Sequence, residues 1–170
     1  MNTTDQIKTA NDLLTKVLSF FPRVDTKANA LLAINTGMLA ILVANSPSFV
    51  EFNTWYMFIP LVPILIIGMS IWHVYKCSFP KLGGGNGSLI YFQEIANRTE
   101  VNYLDEFKAL TEDKLLKDLV GQIWRNSEVL KLKYQHIKWA FNLLALAIVP
   151  WILSLGIFIS RNNLVDSLLK

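Results

Sequence analysis

Between residues 76 and 138 cationic and aromatic side chains alternate: Tyr91, Phe92 and Arg98, then Trp124 and Arg125, then Lys131, Lys133 and Tyr134. Guanidinium and ammonium groups neutralise a phosphate and flat rings stack on a base, so this set suits a nucleotide. Arg98 and Arg125 are the candidates for the phosphate, because a planar fork matches its oxygens better than a lysine does. Tyr91, Phe92 and Trp124 are the candidates for stacking, and Lys133 adds a further positive charge. The same residues also describe an ordinary helical bundle with a basic flank, which is the reading that residue types alone favour.

Other chemistry has less behind it. His73 and His136 stand far apart in the chain, and with no second histidine nearby each reads as a membrane-interface residue rather than a ligand or base. The acid pairs Asp105-Glu106 and Glu112-Asp113 are adjacent, so on a helix they diverge and form a solvated face. Gly83-Gly84-Gly85-Asn86-Gly87 could cradle a phosphate, but it follows an apolar segment rather than a strand and lacks the Gly-Lys-Ser/Thr ending. A flexible hinge over Lys81–Ser88 is the better reading. The single cysteine, Cys77, excludes an intrachain disulfide and a multi-cysteine metal site. No catalytic residue, metal site or cofactor is expected, and an intramembrane enzyme is disfavoured because no catalytic pair shares a depth.

Three windows without Asp, Glu, Lys or Arg must position these residues: 28–50, 52–75 and 139–160. A helix needs about 20 apolar residues to cross roughly 30 Å of hydrocarbon, and in lipid every backbone polar group must be paired internally. The windows are therefore expected to be membrane-spanning helices. Charged residues are 17% of the chain against about 25% in soluble domains, and no room remains for a large soluble catalytic domain. The net charge of +3 reads as membrane topology, not as affinity for nucleic acid. The N-terminal residues do not read as a cleavable signal peptide, so the first span is expected to direct insertion.

Lysines and arginines favour the cytoplasmic side. Lys8, Lys16, Arg23 and Lys27 precede the first span, the loop 46–54 has none, and ten occur from Lys76 to Lys138. The expected topology puts the N-terminus and residues 76–138 inside, with the first loop and the C-terminus outside. Trp55, Tyr56, Trp72, Tyr75 and Trp139 sit at span ends, where amphipathic rings favour headgroups.

The resulting fold class is an all-α membrane protein: three transmembrane helices with a cytoplasmic helical region formed by the N-terminal helix and residues 76–138. The expected segments are a cytoplasmic amphipathic helix (1–27), two spans joined by a short external loop (28–75), a helical sensor or stalk (76–138), a third span (139–160) and an external tail (161–170). Ile7, Ala10, Leu14, Val17 and Phe21 mark one face of the first helix, and Pro22 is expected to break or kink it. Pro47 lies in the external turn, while Pro60 and Pro63 should bend the second span or delay its start. Ser88 to Ala96 suits a short helix or extended turn, and Thr99 and Thr111 suit N-caps. From Thr111 one long helix should run into the third span with a seam at Leu116, Val120, Ile123, Ser127, Leu130, Tyr134 and Ile137. Asn29, Asn35, Thr36 and Asn142 need partners inside the membrane, which points to association of subunits. Asp25, Lys27 and Asn29 could lie at the depth of Lys138 and His136, and the Asp–Lys pair is read either as a boundary anchor with its counter-ion or as a switch; Asn35 joins Asp25 and Lys27 as a switch or interface candidate.

Several of these stretches resemble a known family. Asp25-Thr26-Lys27-Ala28 leading into Leu31-Leu32-Ala33-Ile34-Asn35 is similar to the first-span start of the transmembrane effectors of bacterial Pycsar anti-phage systems. Ile90-Tyr91-Phe92 after a glycine-containing linker resembles the family's aromatic pair. Asp118-Leu119-Val120-Gly121-Gln122-Ile123 and Lys131-Leu132-Lys133-Tyr134 before the last span are similar to its C-terminal signature. The resemblance covers about residues 20 to 160. It implies an effector held inactive in the bacterial inner membrane, whose partner is a pyrimidine nucleotide cyclase; together with the polar span residues and the lack of a catalytic pair, the leading reading is a homo-oligomer that is not itself an enzyme. That cyclase makes cyclic CMP or cyclic UMP on infection, and the effector answers by disrupting the membrane, an abortive infection. The resemblance supplies no defined ligand residues and places sensing in residues 76–138 and the N-terminal helix. The alternative is a constitutive oligomeric membrane scaffold or small transporter subunit without a nucleotide ligand.

The topology is testable directly. Cys77 should resist an impermeant thiol reagent in intact cells, whereas a cysteine introduced at Ser48 should react. Labelling of the two in the opposite pattern would invert the topology.

Overall fold

The computed structural model describes residues 2–46, 58–80 and 85–168. The elements are α1 (Thr3–Leu18), α2 (Phe20–Ala44), α3 (Leu61–Ser78), α4 (Phe92–Ala96), α5 (Glu100–Lys108) and α6 (Glu112–Leu168). No strand occurs among the described residues. Three helical stretches are long and apolar enough to cross a membrane: Thr3–Ala44, Leu61–Ser78 and Glu112–Asn163. The all-helical, three-span class is therefore the observed one. The expectations on Pro47, Ser48, Trp55 and Tyr56, and on Lys81 to Gly84, fall outside the described residues.

The chain divides into two compact units. The first comprises residues 1–24 and 80–133. In it, Asn2 caps α1 by accepting from the Asp5 N–H at 2.7 Å, which satisfies one of the donors left over at a helix start. The face expected for α1 is the one turned inward, with Ala10 buried and Ile7, Leu14 and Val17 half-buried. The break does not fall at Pro22. It falls at Ser19, whose hydroxyl donates to the Lys16 carbonyl at 2.7 Å. Pro22 instead occupies the first turn of α2, where a backbone N–H would have had no helical partner to lose. Thr99 caps α5 by accepting from the Asn102 N–H, as its type suggests.

The second unit comprises residues 25–79 and 134–170 and holds α3 together with parts of α2 and α6. Its interior relies on small residues, with Ala28, Ser70, Ala140, Ala147 and Ser154 almost wholly buried, which lets helices in lipid approach closely. One polar ladder joins all three helices. Asn35 Nδ2 donates to the Leu31 carbonyl at 2.8 Å and to Ser70 Oγ at 3.0 Å, and Ser70 Oγ donates to the Ala140 carbonyl at 2.9 Å. The Asn35 amide nitrogen thus finds its partners within its own chain, while its Oδ1 is buried with no hydrogen-bond partner among the described residues, and the Thr36 hydroxyl returns to the Leu32 carbonyl. Nearer the far end, Trp151 Nε1 donates to the Met38 carbonyl at 2.9 Å.

Three boundaries differ from the sequence reading. A turn at Phe58–Pro60 precedes α3, so the prolines delay this helix, and it runs on through Ser78. Pro63 lies in the first turn of α3, where its ring costs no bond. The helix that carries the third window does not stop at residue 160 but continues through Leu168. Along α6 the buried line passes through Leu119, Gln122, Lys133, Ile137, Ala140, Leu144, Ala147, Ser154 and Phe158. The expected seam is out of phase with this line until Ile137, and Val120 and Tyr134 are 52% and 37% exposed. Counting apolar residues misplaced it because Gln122 and Lys133 are polar members of the buried line. Cys77 is fully buried, so its silence toward a thiol reagent would report packing as well as sidedness. A cysteine at exposed Asn97 is the better probe of the side expected to be cytoplasmic.

Ser70→Ala removes the middle of the ladder. It should lower the unfolding midpoint in detergent by the equivalent of about 0.6–1.7 kcal/mol, the range for hydrogen bonds between membrane helices. The oligomeric state should not change, because every rung lies within one chain. An unchanged midpoint would show that the ladder is not structural.

Candidate functional site

A cavity of about 370 Å³ lies in the first unit, between the turn Gly85–Leu89 and one face of α6. Lys114, Lys117, Gly121 and Arg125 follow one another at helical steps of three and four, so a single face of α6 supplies the wall. Pockets that enclose small ligands begin at about 300 Å³, so this one has room for a small organic anion.

Ser88 holds the turn in place. Its hydroxyl donates to Asp118 Oδ2 at 3.0 Å and accepts from Gln122 Nε2 at 3.1 Å. It also faces the backbone N–H groups of Ile90 and Tyr91, at 3.2 and 3.0 Å. Asp118 Oδ2 accepts a second bond from the Leu89 N–H at 2.8 Å. Asp118 and Gln122 are four residues apart, which puts both on the face of α6 that meets the turn. The turn closes on itself through Ser88 N–H to the Gly85 carbonyl at 2.8 Å, and the Gly87 N–H donates to Glu94 at 3.0 Å. The expected flexible hinge is therefore a pinned turn over residues 85–88. Gly85 has φ +87°, and a side chain there would also collide with Nη1 of Arg125 and lie 2.9 Å from the Tyr91 ring.

The two candidate arginines have opposite surroundings. Arg98 is committed: Nε donates to Glu106 at 2.9 Å, and Nη1 donates to the carbonyls of Ser88 and Glu94 at 3.1 and 2.7 Å. It staples α4 and α5 to the turn, and nothing of it lines the cavity. Arg125 does line the cavity, and its Nη1 is buried without a hydrogen-bond partner among the described residues. A buried charged donor left unpaired is costly, which marks this atom as a place for an anion. The one carboxylate on the wall, Asp118, already accepts from Ser88 and Leu89. Lys114, Lys117 and Arg125 thus leave the cavity positive.

The remaining candidates do not converge there. Phe92 and Trp124 are 65% and 63% exposed and line no part of the cavity. Tyr91 stands behind Gly85 with its hydroxyl bonded to Gln93. Lys133 is buried with its ammonium 5.6 Å from the Phe21 ring centroid. Residue typing missed Lys114, Lys117, Ser88, Asp118 and Gln122. The available signal was the i, i+4 pair Asp118/Gln122 within a short motif.

In the second unit the histidines are not isolated. His73 Nδ1 and His136 Nδ1 are 3.1 Å apart, close enough that one ring donates to the other, and Trp139 stacks on His73 at 6.2 Å. A separation of 63 residues hid the pair from the sequence. Lys27 and Lys138, expected at a common depth, line one groove with Tyr134, and the Lys27 ammonium lies 5.7 Å from the Tyr134 ring centroid. Asp25 is half-buried.

These features define a three-span helical membrane protein with a basic ligand-sized cavity in its charged unit. The chain belongs to the Pycsar effector family: the family model described as the Pycsar effector protein domain matches residues 9–160. Comparison with curated proteins and with solved structures returns no match. Membership supports a role as an anti-phage effector of the Pycsar type.

Ser88→Ala would leave the Gln122 amide and the Ile90 and Tyr91 N–H groups without their acceptor. The expected loss is about 1–3 kcal/mol of stability, with faster hydrogen exchange confined to residues near 85–91. Unchanged exchange there would mean that the turn is held by something else.

Proposed function

We propose that this protein is a bacterial inner-membrane effector switched on by a cyclic pyrimidine mononucleotide, cyclic CMP or cyclic UMP, and that the cavity beside Arg125 receives it. The observation that carries this reading is the unpaired, buried Nη1 of Arg125 in a wall shared with Lys114 and Lys117. The cyclic phosphate brings one negative charge, which a guanidinium meets with a short, charge-assisted bond. A pyrimidine nucleotide is small enough for about 370 Å³. Of the candidate aromatics, Tyr91 has its ring against Gly85, a residue of the cavity's turn.

The activated protein, a homo-oligomer in this reading, disrupts the membrane and halts the cell before phage release. The N-terminus and residues 76–138 are cytoplasmic, where a cyclase partner releases the messenger. α6 carries both the cavity wall and the third span in one uninterrupted helix, so a ligand at Arg125 pulls on the element that crosses the bilayer. The protein performs no catalysis of its own in this scheme, in keeping with a family not known for enzyme activity.

Titration calorimetry of the purified protein with cyclic CMP and cyclic UMP tests the proposal. The wild type should bind one of them, and Arg125→Ala should weaken binding roughly ten- to a hundredfold, the worth of a hydrogen bond to a charged group. Arg98→Ala should chiefly lower stability, because its guanidinium holds the turn. A wild type that binds neither nucleotide would remove the sensor reading and favour the scaffold.

A further inference from the structure

The second unit contains a groove that the nucleotide reading leaves unused. It has a volume of about 510 Å³ and runs between α2 and α6. Lys27, Lys138 and Tyr134 form one end, while Ala30, Ile34 and Phe141 line the remainder. No carboxylate takes part in the lining. The charged end coincides with the edge of the first and third apolar windows, which begin at Ala28 and Trp139.

We propose that this groove binds one anionic phospholipid, with its phosphate between Lys27 and Lys138 and an acyl chain along Ala30, Ile34 and Phe141. The chemistry matches at both ends. Basic pockets between membrane helices at the headgroup level hold anionic lipid heads, and each lysine near the surface adds to that attraction. The phenol of Tyr134 is exposed at the same end and can donate to a phosphate oxygen. Below it, Ile34 and Phe141 are exposed, so a chain lying in the groove replaces loosely packed lipid with a shaped apolar wall. A second copy of the chain fits less well. A two-fold contact through this groove would bring the lysines of both copies together with no acid on the lining to pair them. A soluble nucleotide would leave the apolar length of the groove unfilled.

Native mass spectrometry of the full-length protein in detergent, titrated with phosphatidylglycerol or phosphatidylcholine of identical chains, tests the proposal. The wild type should retain phosphatidylglycerol at least about tenfold more tightly than phosphatidylcholine. Lys27→Gln with Lys138→Gln should erase that preference. Lys27→Arg with Lys138→Arg, which keeps both charges, should restore it and control for folding. Ile34→Trp should reduce retention of both lipids by filling the chain path. Equal retention of the two lipids by the wild type, or an undiminished preference in the double glutamine variant, overturns the assignment. So does an Ile34→Trp variant that loses its oligomeric state while retaining lipid normally, because the groove would then be a contact between copies. Nucleotide titration of the same variants keeps this result separate from the Arg125 proposal, since neither lysine lines that cavity.

Discussion

A polar side chain in hydrocarbon has no water to turn to, and the second unit is arranged around that constraint. Asn35 lies fully buried in the middle of an apolar window. Its amide meets Ser70, and Ser70 meets the Ala140 carbonyl, so one chain of bonds sets the register of three helices. Dispersion alone would allow apolar helices to slide, because lipid tails solvate leucine as well as another leucine does. The small residues Ala28, Ala140 and Ala147 bring the backbones close enough for the ladder to form, and the ladder keeps them in phase. The His73–His136 contact adds a second fixed point between α3 and α6.

The first unit uses the same economy on a turn. Ser88 gathers Asp118, Gln122 and the backbone of residues 90 and 91 around one hydroxyl. That arrangement converts a glycine-rich stretch into a cavity wall. It also separates two arginines that look equivalent on paper. Arg98 is absorbed in holding the turn from below, whereas Arg125 is pressed against Gly85 with one nitrogen left to offer. Cost decides between them: a guanidinium with three local acceptors gains little from a phosphate, and one with a buried unpaired donor gains much.

The three spans, the all-helical class, the capped α5 and the inward face of α1 were legible from the sequence. Charge-free windows and three- and four-residue periodicity are local properties, and hydrocarbon enforces their meaning on each segment by itself. The family motifs were legible too, as strings, because Asp118 to Ile123 and Lys131 to Tyr134 are contiguous. The phase of the α6 seam was not. Gln122 and Lys133 are buried for reasons that lie on other elements, Ser88 for the first and Phe21 for the second. The same limit explains the histidines, whose rings meet across 63 residues.

What the sequence determined alone is where the chain can be dry and how each segment coils, since both follow from side-chain transfer energies and the backbone's need for internal bonds. What tertiary structure decided is which polar groups are used up and which are left over. Arg98 and Arg125 have the same side chain and the same intrinsic affinity for phosphate. Only the placement of Glu106, Glu94 and Ser88 around one, and of Gly85 against the other, separates a staple from an open donor, because hydrogen-bond satisfaction depends on neighbours distant in the chain.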